Sequence, residues 1–319
     1  MTQNWGMTIP FYDRSLSKSQ DLVAELPGLG YTDVWSAEVN GVDGFTPLAL
    51  AAQWAPEARL GSAIVPVSTR GPGLLAMSAA TLADLAPGRF VLGIGASSPA
   101  IVERWNAGTF TKPYARTRDT LRFLKRALAG EKVTEAYETF EIKGFKLERA
   151  PKTPPRIVLA ALRPRMLRLA AEEADGAITN WLSPQDVPKV RAEIGEGTEL
   201  IARLFVCVDE DTERVREKAR WMLASYLTVP VYAAFHDWLG RGEVLRPMHE
   251  AWAAGDRQAA LKAIPDEVVD ALIVHGDAAT CRARIQEYVD HGLDTPVLAP
   301  IPGGDVSIDQ AVRDLAPKG

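Results

Sequence analysis

Short apolar runs rich in β-branched residues alternate along the chain with stretches in which apolar residues recur at helical spacing. One such helical stretch carries Leu121, Leu124 and Leu128. This alternation predicts parallel strands with helices covering both faces of the sheet. The eight predicted strands are Thr8–Tyr12, Asp33–Glu38, Gly61–Pro66, Phe90–Gly95, Arg156–Ala161, Ala177–Asn180, Ile201–Val208 and Val297–Ile301.

A chain of eight strand–helix units can form an open doubly wound sheet or a closed barrel. Eight units need about 250 residues in a barrel, and 319 residues leave room for insertions. The sequence therefore favours an α/β fold of the (β/α)8 TIM-barrel type. We expect residues 1–319 to form one domain.

Two segments interrupt the alternation. Lys132–Glu148 predicts a β-hairpin before the fifth strand, with its turn at Lys143–Gly144. Thr212–Asp277 predicts a long helical insertion after the seventh strand. Insertions of this kind often lie at the catalytic rim of a barrel, as lids or subunit contacts.

The amino-acid composition limits the kinds of molecule that the protein is expected to bind. Lys and Arg number 36 against 41 Asp and Glu, a net charge of −5, so no positive field is available to hold a nucleic acid. No apolar window reaches the roughly 18 residues of a membrane span. The two cysteines, Cys207 and Cys281, are expected to be buried and suit a reducing compartment. We expect a cytoplasmic protein that acts on a small molecule.

Positive charge is concentrated where the fifth strand leads into a helix. Arg163 and Arg165 fall in the first turn of that helix, where free N–H groups and the helix dipole already favour an anion. The pattern indicates a phosphate or carboxylate ligand. Alternatively, the arginines pair with Glu172 and Glu173 or are simply solvated. The usual barrel phosphate site follows strands seven and eight, which argues against this position.

Few other residues are candidates for a catalytic or binding role. Glu38 ends the second strand and is either an acid/base group or part of a structural ion pair. Gly93-Ile94-Gly95-Ala96-Ser97 lacks the third glycine and the acidic partner of a dinucleotide site, although its glycines permit close approach of a ligand. The four histidines show no metal-ligand spacing, so no metal is expected. No serine nucleophile motif is present.

Several segments in their order along the chain carry a family resemblance: YTDVWSAE, RLGSAIVPVSTRGP, GRFVLGIGASSP and ALRPRMLRLAAEEADGAITNWLSP. The chain resembles the bacterial luciferase-like superfamily, and within it the coenzyme F420-dependent oxidoreductases that include methylenetetrahydromethanopterin reductase-like proteins. The resemblance implies a (β/α)8 barrel with an extended insertion, usually a homodimer, that holds a deazaflavin or flavin at the carboxyl ends of the strands.

The resemblance also implies roles for particular residues. A non-prolyl cis peptide between Ala63 and Ile64 would lie behind the ring, and Glu38 corresponds to the acidic residue near it. Several relatives carry a histidine where this chain has Val39, so Glu38 is the first candidate proton donor, followed by Asp13 and His249. The implied lining of the polar edge of the ring is Gly95, Ala96 and Ser97, and the implied phosphate cradle is Ala160, Ala161, Leu162, Arg163, Pro164, Arg165 and Met166.

These expectations combine into one leading function and two alternatives. The leading function is an F420-dependent oxidoreductase that transfers a hydride between C5 of the deazaflavin and a small organic substrate. The first alternative is an FMN-dependent luciferase-like monooxygenase. The second is a protein that binds a deazaflavin without catalysis.

Overall fold

The computed structural model describes residues 3–317 and contains twelve strands in that range. Ten of the strands belong to one parallel sheet, and the other two form an antiparallel pair. In chain order the strands are β1 (Gly6–Ile9), β2 (Asp33–Ser36), β3 (Arg59–Ser62), β4 (Val65–Pro66), β5 (Phe90–Gly95), β6 (Val133–Ala136), β7 (Glu141–Phe145), β8 (Arg156–Ala160), β9 (Gly176–Asn180), β10 (Glu199–Val208), β11 (Val274–Gly276) and β12 (Thr295–Pro300).

The parallel sheet closes into a barrel. Its order runs β1, β2, β3, β5, β8, β9, β10 and β12, and β12 pairs with β1 to complete the circle. β4 continues the line of β3 beside β5, and β11 lies alongside the end of β10. The fold is a (β/α)8 TIM barrel, as the alternation of apolar runs predicts.

Helices connect the strands and cover the outside of the barrel. Their amphipathic character is clear in α5, which buries Leu167, Leu169 and Ala170 on one face. In chain order the helices are α1 (Gln20–Leu29), α2 (Thr46–Trp54), α3 (Pro72–Leu85), α4 (Pro113–Leu128), α5 (Pro164–Glu173), α6 (Val187–Ile194), α7 (Thr212–Leu227), α8 (Pro230–Trp238), α9 (Gly242–Ala253), α10 (Arg257–Lys262), α11 (Asp266–Leu272), α12 (Ala278–Asp290) and α13 (Ile308–Asp314).

Side chains fill the interior of the barrel below its mouth. Trp35 is fully buried and packs with apolar residues from neighbouring strands, Val91, Val158 and Ile178 among them. Residues that alternate with these point outward to the helices, so each strand is buried on both faces. The barrel therefore has a solid core, and only its carboxyl end is open to a ligand.

A network of charges closes the amino end of the barrel. Arg59 donates hydrogen bonds of 2.7 and 2.8 Å to Asp33 and of 2.8 and 3.2 Å to Glu199. Arg156 pairs with Glu199 at 2.6 Å. Burial alone would raise the pKa of Glu199, but these arginines outweigh it and hold that pKa below its usual value. At this end of the barrel, the inward-facing Arg59 is therefore fully paired with carboxylates.

The predicted hairpin exists, but its predicted turn was wrong. The turn lies at residues 137–140, where the N–H of Tyr137 donates to the carbonyl oxygen of Phe140 at 2.9 Å, and Lys143–Gly144 lies inside β7. Gly144 has φ of +71°, and the register of the pair is irregular opposite it. The glycine therefore accommodates a bulge rather than a turn. Phe140 packs against Phe123 of α4, so the hairpin lies along the outside of α4.

The insertion after β10 is helical, as predicted, but it is divided into five helices, α7 to α11, and ends in the short strand β11. Pro230 and the glycines at 240 and 255 separate successive helices.

Cys207 and Cys281 are both buried, as expected, and neither forms a disulfide bond. Among residues 3–317, no helix has the length and apolar character needed to cross a membrane.

Candidate functional site

Small residues form one side of the barrel mouth. The peptide bond between Ala63 and Ile64 is cis, as the family resemblance implies, and it separates β3 from β4. Ala63, Ile64 and Ala160 are only partly buried on top of the interior cluster. A Cβ atom on Gly95 would come within 2.7 Å of the Ala160 Cβ and 3.1 Å of Ile64, so glycine is required there. The result is a low, mainly apolar floor that a planar ring could cover.

The loop after β5 continues this floor with polar groups. Ala96 and Ser97 follow Gly95 directly and are partly exposed. Ser97 has φ of +67°, a left-handed conformation that is unusual for a residue with a side chain. These positions agree with a role at the edge of a bound ring, which stays a prediction.

The start of α5 presents unpaired donors beside this floor. Arg163 precedes the helix in an extended conformation, and its carbonyl accepts from Met166 and Leu167 at 3.0 Å each. Within residues 3–317, no acceptor binds the N–H groups of Leu162, Arg163 or Arg165. Free N–H groups at a helix start form an anion-binding position.

The side chains of Arg163 and Arg165 also lack carboxylate partners among the described residues. Glu173 instead pairs with Arg122 at 2.6 Å. The guanidinium of Arg165 stacks on the ring of Tyr114, 3.8 Å from its centroid. The alternative in which these two arginines pair with Glu172 and Glu173 is therefore wrong, and two cations remain free to meet an anion.

Glu38 is held by one donor from its own loop and one from the loop after β4. Its Oε2 accepts a hydrogen bond from Arg70 at 2.6 Å and another from the N–H of Gly44 at 2.9 Å. Its own N–H donates to the carbonyl oxygen of Ile64 at 3.4 Å. Glu38 therefore ties the segment after β2 to the cis peptide and to the loop after β4. This geometry favours the structural ion pair that the sequence left open, and an acid/base role stays a prediction.

The two reserve candidates for proton donor are placed differently. Asp13 accepts hydrogen bonds of 2.8 Å from Arg14, which lower its pKa and so oppose a role as a proton donor. His249 lies on α9 in the insertion, close enough to His236 for their charges to interact. Burial lowers the pKa of His249. Neither residue is brought to Glu38 by any hydrogen bond or ion pair of the described residues.

The wall of the mouth formed by β9 and β10 contains a polar group that the sequence analysis missed. Arg203, in the middle of β10, lies beside Asn180 of β9 and donates to the hydroxyl of Tyr12 at 3.1 Å. The hydroxyl of Tyr232 donates to Asn180 Oδ1 at 3.1 Å. A signal was available, because Arg203 interrupts the apolar run LIARLFVCV at a position that must face the barrel interior.

Aromatic rings support this wall from the insertion. Trp181 and Phe205 are stacked with ring centroids 4.2 Å apart, and Tyr226 lies 4.9 Å from Trp181. Burial raises the pKa of the phenols of Tyr226 and Tyr232, so both remain protonated near neutral pH. The helical insertion thus contributes to the site, as its predicted position at the rim suggests.

The arrangement suits a planar cofactor with an anionic tail. The floor of Ala63, Ile64, Gly95 and Ala160 can support a ring, and the start of α5 can hold a phosphate or carboxylate. In residues 3–317, no three His, Cys, Asp or Glu side chains come together as a metal site. The chemistry of the donors therefore fits a deazaflavin or flavin bound across the mouth.

Comparison with known proteins identifies the family to which this chain belongs. The model of the luciferase-like monooxygenase family matches residues 3–295. The 5,10-methylenetetrahydromethanopterin reductase of Archaeoglobus fulgidus is 28% identical to this chain over 93% of each protein.

Solved structures share the fold. The coenzyme F420-dependent tetrahydromethanopterin reductase of Methanopyrus kandleri is 20% identical, with a TM-score of 0.79 over 100% of this chain and 98% of that one. An F420-dependent secondary alcohol dehydrogenase in complex with an F420–acetone adduct is 16% identical, with a TM-score of 0.78 over 99% of this chain and 98% of that one.

Proposed function

The chain belongs to the luciferase-like monooxygenase family, and we propose that it is an F420-dependent oxidoreductase acting on a small organic substrate. The observation that carries the proposal is the pair of arginines without carboxylate partners at the start of α5, beside a floor of small residues. The names of the relatives support the same cofactor, because the reductase and the alcohol dehydrogenase of similar fold are both described as F420-dependent.

When bound, coenzyme F420 supplies a hydride carrier at C5 of its deazaflavin ring. Ala63, Ile64, Gly95 and Ala160 would support one face of the ring, and the other face would be left to the substrate. Ser97 would lie at the polar edge of the ring. The free N–H groups and the side chains of Arg163 and Arg165 would hold the phosphate or the glutamyl carboxylates.

The remaining contribution of the protein is positioning. The solid barrel core below the floor fixes the depth of the ring, and the insertion with Tyr226 and Tyr232 limits access of water from the side of β9 and β10. Holding two reactants face to face accounts for a large part of the rate gained by enzymes of this kind. Glu38 acts in this account by fixing the loops through Arg70 and Gly44.

The proposal is tested by replacing the two arginines. We expect Arg163→Leu combined with Arg165→Leu to raise the dissociation constant for F420 about 10- to 100-fold, because each removes a charge-assisted hydrogen bond of about 1 kcal/mol at an exposed position. Quenching of F420 fluorescence during titration measures the effect.

Arg168→Leu is the matched control. Arg168 lies on the same helix but already pairs with Glu193 at 2.9 Å. Its replacement should change F420 affinity less than twofold. Equal affinities of the double variant and the control would remove the start of α5 from the binding site.

A further inference from the structure

Arg203 is the inward-facing cation at the carboxyl end of the barrel that the proposed cofactor site does not use. Successive side chains of β10 point alternately outward and inward: Ala202 and Leu204 face the helices, and Ile201 faces the barrel core. Arg203 therefore points into the mouth one layer above Ile201. It pairs in register with Asn180 of β9, and β10 is two strands along the barrel from β8, the strand that leads into α5.

This guanidinium has no anionic partner among residues 3–317. Its hydrogen bond goes to the neutral hydroxyl of Tyr12, and its Nε is buried with no acceptor. Arg59, the inward-facing arginine at the other end of the barrel, is in contrast bound by both Asp33 and Glu199. A buried donor that lacks an acceptor destabilises the folded protein. An anionic ligand bound at the mouth would supply this acceptor.

The groups around Arg203 define the chemistry of that ligand. Its guanidinium lies 4.9 Å from the centroid of the Phe205 ring, next to Tyr226 and Tyr232, which are partly exposed. Asn180 uses its Oδ1 to accept from Tyr232, so its amide N–H groups are directed elsewhere and can donate. One positive charge, neutral donors and aromatic rings together match a monoanionic oxygen acid attached to an apolar or aromatic body.

We propose that Arg203 binds a carboxylate of the substrate, so that the enzyme acts on carboxylate-bearing organic molecules whose apolar part lies against Tyr226 and Tyr232. The inference rests on the proposed function for the reaction, but the carboxylate site itself does not require the cofactor. Arg203 orients the substrate from the β10 side, and the cofactor tail lies at α5. The two proposed anion sites therefore use different residues.

Matched carboxylate and amide pairs test the site. Benzoate and benzamide, 3-phenylpropanoate and 3-phenylpropanamide, and hexanoate and hexanamide are titrated by calorimetry into the protein alone and into the F420-loaded protein. We expect at least one carboxylate to bind about tenfold or more tightly than its amide, since an amide cannot form the charged pair. Inorganic phosphate should bind more weakly than that carboxylate.

Variants assign the preference to Arg203. Arg203→Leu should reduce the preference to within about twofold, and Arg203→Lys should retain only part of it, because an ammonium cannot make two parallel hydrogen bonds to a carboxylate. Arg246→Leu is the control, since Arg246 lies on the exposed surface of α9 and should leave the preference unchanged. Circular dichroism and the unfolding temperature show whether each variant is folded. If Arg203→Leu does not fold, the binding preference is measured on Arg203→Lys alone.

The outcomes separate this inference from the proposed function. Amides that bind as well as carboxylates, the absence of binding by any carboxylate, or a preference that persists in Arg203→Leu would overturn the inference. So would tighter binding of phosphate, or a loss of F420 affinity of more than tenfold in Arg203→Leu. If the wild-type protein fails to bind F420 while its carboxylate preference depends on Arg203, the inference stands and the proposed function fails.

Discussion

Glu38 is a carboxylate at the edge of the candidate site, and its hydrogen bonds hold neighbouring segments in place. One carboxylate oxygen accepts hydrogen bonds from the side chain of Arg70 and from the N–H of Gly44. The side chain of Glu38 is only 15% exposed. The guanidinium of Arg70 also lies 5.1 Å from the centroid of the Phe45 ring. The pair thus joins the loop after β2 to the loop after β4, beside the predicted ring site.

A double-mutant cycle measures this contribution. Glu38→Gln, Arg70→Met and the double variant should show a coupling free energy of unfolding of about 1–2 kcal/mol, because the pair is largely shielded from solvent. Chemical denaturation supplies the free energies. The exposed pair Arg246–Glu243 is the control and should show a coupling near zero. Additive effects at Glu38 and Arg70 would mean that the ion pair does not hold these loops.

The sequence located some of the site residues and not others. The arginines at the start of α5 were visible because a helix start after a strand is a recognisable anion position. The sequence could not decide whether these arginines pair with Glu172 and Glu173, because that depends on the directions of the side chains around the helix. In the structure, Glu173 forms an ion pair with Arg122 instead. Arg203 was missed although it interrupts an apolar run, and its lack of an anionic partner is visible only in the packed barrel.

At the scale of elements, periodicity identified all eight barrel strands, because buried parallel strands are short and continuously apolar. The ends of the strands were less accurate. β1 stops at Ile9, before the predicted end at Tyr12, because Pro10 has no N–H to donate to a neighbouring strand. The third strand is divided by the cis peptide at Ala63–Ile64. Backbone geometry of this kind leaves little trace in hydrophobic patterning.

The end of β10 is attached to neighbouring loops by one buried carboxylate. Asp209 accepts from Arg214 at 2.6 and 2.9 Å and from the N–H of Gly304 at 2.7 Å. The hydrogen bonds from Arg214 outweigh burial and lower the pKa of Asp209. The loops after β10 and β12 are therefore fastened together at the barrel mouth.

This attachment predicts a pH dependence of stability. Because the folded-state pKa of Asp209 is depressed, its contribution is present above the unfolded-state pKa of about 3.9 and is lost as the pH falls below it. Asp209→Asn should lower the free energy of unfolding at pH 7 by about 1–2 kcal/mol and flatten its decline below about pH 4. Urea denaturation from pH 3 to pH 7 measures both effects.

Asp84→Asn provides the comparison, since Asp84 is exposed on α3. Its curve of stability against pH should superpose on that of the wild-type protein. A curve for Asp209→Asn that also superposed on the wild type would show that the carboxylate does not stabilise the loops.

For the whole molecule, the barrel places two proposed anion-binding positions at one mouth, at the carboxyl end of β8 and two strands further along the barrel on β10. We propose the start of α5 for the cofactor tail and Arg203 for the substrate. The helical insertion after β10 contributes aromatic rings beside the proposed substrate position. Exposed Leu74, Met77 and Leu85 on α3 offer an apolar surface for the homodimer implied by the family resemblance, which stays a prediction.

The central claim is that this mouth binds the deazaflavin cofactor F420. Titration of the purified wild-type protein with F420 and, in parallel, with FMN tests it most directly, with fluorescence and calorimetry as readouts. The account predicts micromolar or tighter binding of F420, about −8 kcal/mol or better, and at least tenfold weaker binding of FMN. Tighter binding of FMN would favour the monooxygenase alternative, and binding of neither cofactor would contradict the assignment of the site.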